Sequence, residues 1–128
     1  MFITEISKKL KITTRAIRHY EEIGLVNSKR LENNYRYFDQ VNLDKLKFLA
    51  RARKLGFSLD ECKELILLFQ NDNRKSENVR EIAKNKLKLI KKQINELKDL
   101  EKSLNWLVLK CPGDNKPDCP IIDELAKG

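Results

Sequence analysis

The chain has 128 residues, 41% hydrophobic and 36% charged, with 4 Gly and 3 Pro; that is room for one domain plus an appended element, and too few turn formers for an all-β or low-complexity protein. Its longest apolar run, Leu65–Phe69, is 5 residues, far short of the about 20 that a membrane span needs, and the N-terminus lacks a signal-peptide core, so we expect a soluble cytoplasmic protein with no membrane partner. Net charge is +8, with 13 basic and 6 acidic residues in 1–58 against 14 and 13 in 59–128, which suggests a polyanion-binding half joined to a nearly neutral one, a solubilising surface being the plainer alternative.

The pattern predicts a short helix from Thr4 to about Lys9 that buries Ile3, Ile6 and Leu10. Thr13 is a good N-cap, and Ile12 and Ile17 sit at hydrophobic-staple spacing around it. The next helix, Thr14–Ile23, stops at Gly24, the usual residue just past a helix end. Two helices joined by a three-residue turn read as a helix-turn-helix. The second exposes Arg15, Arg18, His19 and Glu22 and turns Ala16, Ile17, Tyr20 and Ile23 inward. Such a cationic face suits phosphates and base edges in a major groove, although an ordinary αα-hairpin has the same spacing.

Asn27–Asn34 is polar and turn-forming, and Tyr35–Phe38 is β-prone, so together they predict a β-hairpin wing. There Arg36 can meet a phosphate, Tyr35 can pack on the backbone, and Tyr37 and Phe38 divide between outside and inside. Asn42 can cap a helix over Leu43–Leu55, with Leu46, Leu49 and Ala50 on one face and Arg51, Arg53 and Lys54 crowding its end before Gly56. Ser58-Leu59-Asp60-Glu61 is a capping box that opens a further helix carrying Leu65, Ile66, Leu68 and Phe69. Cys62, in its first turns, reads as a small buried hydrophobe.

From Ser76 to about Leu109 runs the longest helical pattern. Positions 83, 87, 90, 94, 97, 101, 104 and 108 are Ala, Leu, Ile, Ile, Leu, Glu, Leu and Val, a coiled-coil seam with one break. A chain this small offers little to cover that stripe, so a second copy is expected, and a homodimer also suits a helix-turn-helix reading two half-sites. An intramolecular bundle is the competing arrangement.

Pro112 ends the long helix. Cys111 and Cys119 then bracket a seven-residue loop, and Cys119-Pro120 looks like a helix start, with Ile121, Ile122 and Leu125 to pack it down. A sulfur at a helix N-terminus is stabilised as thiolate. Two thiolates without a nearby His do not suit structural zinc, which wants four ligands. Soft sulfur donors favour Cu(I) and its congeners, and a monovalent d¹⁰ ion is satisfied by two sulfurs. A redox pair and incidental thiols stay open on spacing alone. An enzyme using a Cys nucleophile is the weakest reading, because the sole histidine, His19, lies in the helix-turn-helix.

These residues resemble a known family. Arg15-Ala-Ile-Arg-His-Tyr-Glu-Glu-Ile-Gly-Leu25 is similar to the recognition region of MerR-type regulators, Asn34-Tyr35-Arg36-Tyr37 to their wing, and Ala50-Arg-Ala-Arg-Lys-Leu-Gly-Phe-Ser-Leu59 to their next signature. The loop from Cys111-Pro-Gly to Asp-Cys119-Pro-Ile resembles the metal loop of the family's copper-efflux regulators. Where the family usually has Asn-Gly before Tyr-Arg, this chain has Asn33-Asn34, and Asn also tolerates positive φ.

The resemblance implies a mainly α protein: a winged helix-turn-helix DNA-binding domain over 1–70, a linker over 71–75, an antiparallel coiled-coil dimerisation helix over 76–109, and a metal-binding loop with a short helix over 110–128. It implies no enzyme. It points to DNA contacts at Thr14, Arg15, Arg18, His19, Tyr20, Arg30, Tyr35, Arg36, Arg53 and Lys54. Cys111 and Cys119 would hold one Cu(I), or Ag(I) or Au(I), per subunit. Ser76 matches the position where monovalent-ion sensors carry Ser and divalent-ion sensors Cys, and Arg80 matches a basic residue that offsets the dithiolate charge. The implied mechanism has a homodimer on a pseudo-palindromic promoter operator with an overlong spacer. Metal changes how it bends and untwists that DNA, realigning it for RNA polymerase and switching on efflux genes. The alternative is a MerR-type regulator whose cysteines act as a redox or electrophile switch.

Overall fold

Short caps and apolar spacing decide where each helix begins and which face it buries, and the computed structural model, which describes residues 1–127, follows them from the first turn. Helix α1 spans Ile3–Leu10 and buries Ile3 and Ile6. It ends at Lys11 in the left-handed region (φ 56), and a short turn leads to helix α2, Thr14–Glu22. Thr13 Oγ1 accepts the Ala16 N–H at 3.0 Å, satisfying a backbone donor that the helix leaves free. At the far end Gly24 takes φ +81; its N–H reaches the Glu21 carbonyl and the Leu25 N–H reaches that of Tyr20. This pairing needs a left-handed residue, so glycine stands there without steric cost.

A two-stranded antiparallel hairpin follows: β1, Lys29–Arg30, and β2, Arg36–Tyr37, with Lys29 opposite Tyr37 and Arg30 opposite Arg36. Asn34 turns its tip at φ 66. Strand β2 also bridges to Phe2, ahead of α1. Phe38 is 1% exposed while Tyr37 is 39% exposed, so the aromatic run divides between core and surface.

Helix α3 spans Gln40–Lys54. Its cap is Asp39, three residues before the expected Asn42. Asp39 Oδ1 accepts the Asn42 N–H at 2.9 Å, and the Asn42 amide also donates to it. These two bonds, the backbone one first, hold the Asp39 carboxyl below its ordinary value. Asn42 instead uses its oxygen to accept the Asn27 N–H at 2.8 Å, tying α3 to the segment before the wing. Helix α4, Leu59–Gln70, opens with the Ser58–Glu61 capping box.

The core gathers Ile6, Ile17, Val26, Phe38, Leu46, Leu49 and Cys62, all under 2% exposed. Helices α3 and α4 also stack Phe48 on Phe69 at 4.7 Å. Helix α5 runs from Ser76 to Lys110, and Ile82 in its second turn packs against the core. The chain divides into two compact units, Met1–Ile82 and Ala83–Gly128. In the second unit, among the described residues, only Leu107 is buried, at 9% exposed, and the unit closes with helix α6, Pro120–Ala126. Of the three residues expected to pack α6 down, Ile121 is half-buried, but Ile122 and Leu125 are 61% and 75% exposed. Among the described residues, no helix is long and apolar enough to cross a membrane.

Candidate nucleic-acid interface and thiol pair

Helix α2 is docked by its inner stripe. Ile17 is fully buried and Tyr20 is 6% exposed, while Arg15, Arg18 and His19 lie on the exposed face and Thr14 is half-buried in the first turn. His19 Nδ1 stands 3.8 Å from the Glu22 carboxylate. Tyr20 is held inside the domain. Burial pushes its hydroxyl up, and Arg53, within its reach, pulls the other way. Tyr20 thus props the cationic face from behind.

The wing presents Arg30 and Tyr35 on its surface. Arg30 Nη1 bonds both the backbone and the side-chain oxygen of Asn34 at 3.2 Å, bracing the hairpin tip. Tyr35 is 63% exposed and meets Phe2 edge-on at 6.4 Å. Arg36 is engaged: its Nε donates to Glu21 Oε2 at 2.9 Å, with both side chains about three-quarters buried. The other Glu21 oxygen accepts the Ser28 hydroxyl. Sequence reading passed over Glu21, since its partners lie 7 and 15 residues away, beyond any local pattern.

At the end of α3, Arg53 turns back to donate to the Phe57 carbonyl at 3.0 Å. Lys54 is exposed, and it lines a shallow groove with Lys9, Lys47 and Arg51 over a floor of Leu10 and Ala50. Lys47, Arg51 and Lys54 share one face of α3 by helical period, and the contact of α1 with α3 adds Lys9 to them.

In the second unit the Cys111 N–H still bonds the Leu107 carbonyl at 3.0 Å, so Cys111 stands directly on the end of α5. Cys119 precedes α6, whose first residue is Pro120. The two Sγ atoms lie 3.2 Å apart and both residues are partly buried. Cys119 is pulled below the ordinary thiol range, first by the backbone N–H of Ile122, then by the Cys111 thiol, and also by the Ile121 N–H. Cys111 is pushed up, mainly by its hydrogen bond with the Cys119 sulfur. The two thiols are thus unequal, Cys119 being the easier of the two to ionise. Among the described residues no cluster of three or more His, Cys, Asp or Glu stands ready for a metal. Two sulfurs alone suit a soft two-coordinate ion and do not suit tetrahedral zinc. With metal–sulfur bonds of about 2.3 Å, the sulfurs need only separate by about 1 Å or a little more to admit an ion between them. Ser76 and Arg80 are exposed on the first turns of α5 and belong to the first unit, whereas both cysteines belong to the second.

A family model described as MerR HTH family regulatory protein matches residues 1–67, and one described as MerR, DNA binding, matches residues 43–107. The chain is 43% identical over 128 residues to the HTH-type transcriptional regulator HmrR of Rhizobium leguminosarum bv. viciae, covering 100% of this chain and 99% of that one. It is 43% identical over 127 residues to the HTH-type transcriptional regulator CueR of Salmonella typhimurium, covering 98% and 92%. Among solved structures, the transcription regulator PbrR691 from Ralstonia metallidurans CH34, in complex with lead(II), matches with a TM-score of 0.80 at 29% identity, covering 98% of this chain and 99% of that chain.

Proposed function

Because this chain belongs to the MerR family of helix-turn-helix regulatory proteins, we propose that it is a cytoplasmic, homodimeric transcriptional activator that senses Cu(I), or its congeners Ag(I) and Au(I), at Cys111 and Cys119. One ion per subunit is held by the two sulfurs. The observation that carries this reading is the pair of Sγ atoms 3.2 Å apart, with no third His, Cys, Asp or Glu grouped with them among the described residues. When bound, the ion would link the two sulfurs and so join the end of α5 to the start of α6. A lead(II)-bound relative in the same fold makes metal-responsiveness the common theme; the donor count is what favours a monovalent ion here.

The chain's own residues divide the work. Cys119 enters as thiolate and Cys111 gives up the proton it shares. Arg80 would offset the excess negative charge of a dithiolate around a single-charge ion, and Ser76 stands where a divalent-ion sensor would carry a further thiol. The seam positions Leu87, Ile94, Leu97, Leu104 and Val108 are 45–64% exposed on one chain, which supports their burial against a second copy. Arg15, Arg18 and His19 on α2 read the operator, and Arg30, Tyr35, Arg53 and Lys54 contact its backbone. The ion acts by favouring one of two DNA-bound states of the dimer. That requires different ion affinities in the two states and yields a promoter distortion usable by RNA polymerase.

Anaerobic titration with Cu(I) followed by X-ray absorption should report two sulfurs, coordination number two, and one ion per chain. Cys111→Ser and Cys119→Ser should each lose the ion and the transcriptional response while still binding DNA. A double variant that still responds to copper refutes the assignment. A response that survives chelation and follows peroxide instead would move the function to thiol oxidation.

A further inference from the structure

We propose that Glu21 is a positioning residue for DNA recognition, a clamp through which helix α2 sets the attitude of the wing. The proposal rests on the DNA-binding reading and adds to it a residue on the recognition helix that touches no DNA. Glu21 sits in the last turn of α2, and its two oxygens are divided between the two arms of the hairpin. One accepts the hydroxyl of Ser28, immediately before β1, and the other accepts Arg36 Nε in β2 at 2.9 Å. The side chains of Glu21 and Arg36 are 25% and 23% exposed, so the pair is shielded from much of the solvent that weakens surface ion pairs.

The wing needs such an anchor. Each of its strands has two residues, and an isolated hairpin of that size is not stable in water. On one side it is held by the bridge from Phe2 to Tyr37 and by the edge-on rings of Phe2 and Tyr37 at 5.5 Å. The Glu21 carboxylate is the polar anchor on the side of α2. A free carboxylate on a recognition helix opposes DNA phosphates. Paired with a guanidinium it no longer does, and the same bond fixes where Arg30 and Tyr35 are presented.

The sign of one substitution separates this role from its rival, in which Arg36 is a phosphate contact that Glu21 merely holds back. As a clamp, Glu21→Gln loosens the wing and weakens binding roughly tenfold, the scale of losing one charge-assisted hydrogen bond. In the rival case it removes a repelling charge, frees Arg36 and tightens binding. The probe is a DNA duplex enriched by the unsubstituted full-length chain from a randomised pool, with affinity measured across salt concentrations. For the clamp, Glu21→Gln and Arg36→Ala shift the salt plots down in parallel, and the double variant is no weaker than the weaker single. For a phosphate contact, Arg36→Ala flattens the slope by about 0.9 for each phosphate lost. Amide hydrogen exchange without DNA gives a separate readout: the Leu31 N–H, bonded to the Tyr35 carbonyl at 3.1 Å, should exchange several-fold faster in Glu21→Gln while the melting temperature stays within a few degrees. Tighter DNA binding, a flattened slope or unchanged exchange overturns the clamp. If the unsubstituted chain enriches no duplex, DNA recognition fails, while the exchange rates still decide whether Glu21 holds the wing.

Discussion

The unequal thiols predict how ion affinity depends on pH. Binding as a dithiolate releases every proton the pair still holds, so the slope of log affinity against pH counts those protons. Two equal, ordinary thiols would release two protons each time and show a slope of two, falling to zero in one step just above their common pKa. Here Cys119 is lowered, chiefly by the Ile122 N–H, and Cys111 is raised, chiefly by its hydrogen bond with Cys119. The slope should therefore be two only below the lowered value of Cys119. It should fall to one as pH passes that value, and remain one through the ordinary thiol range until the raised value of Cys111 is reached. The sign follows directly: affinity rises with pH throughout, more gently once Cys119 is already a thiolate. Competition against a colorimetric Cu(I) chelator, at half-unit steps from pH 5.5 to the alkaline limit of folding, measures it. Thiol alkylation mapped by mass spectrometry should modify Cys119 before Cys111 near neutrality. In Cys119→Ser, Cys111 should titrate closer to an ordinary thiol, having lost the neighbour that raises it. A single drop from two to zero, or preferential alkylation of Cys111, would refute the division of roles.

Ile17→Ala removes a fully buried side chain from the inner stripe of α2, and should cost about 2–5 kcal/mol of stability against about 0.5–1.5 for Ile17→Val. Denaturant unfolding reads the loss. The Cys111–Cys119 pair lies in the other compact unit, so ion affinity should change less than about twofold; a comparable loss of both would show that the units do not fold separately. Leu97→Glu with Leu104→Glu puts charge on seam positions 64% and 58% exposed in the single chain, and sedimentation should then report a monomer. A dimer that survives both would place the interface elsewhere.

What could be read from the sequence is what acts over a few residues. The caps at Thr13 and Ser58 work through bonds three residues long, and Gly24 answers a backbone angle, so each shows in a four-residue window. The inward stripe Ile17, Tyr20 and the buried Leu46, Leu49, Leu65 and Ile66 follow from helical period, whereas Ala50 stays half-buried and Phe69 is 41% exposed. The cap of α3 was misplaced because Asp39 and Asn42 are both good capping residues. Phe38 decides between them: its burial fixes the chain just ahead of Asp39 and leaves Asn42 free to hold Asn27. The approach of Cys111 to Cys119 was legible from the turn formers between them, but which sulfur keeps the proton depends on the N–H groups of Ile121 and Ile122, a matter of placement. Arg36 shows the limit best. Its charge and its place in the wing suggest a ligand contact, and only the fold reveals that its Nε is engaged by a carboxylate 15 residues earlier.

Trp106 is the sole indole of the chain. It is 56% exposed, with the Lys110 ammonium 6.0 Å from its ring centre. It stands five residues before Cys111 on α5, about 7.5 Å along the axis. The protein therefore carries a built-in fluorophore about one and a half turns from Cys111. Emission from that ring offers a label-free optical record of events at the tail, with no second tryptophan to blur the signal.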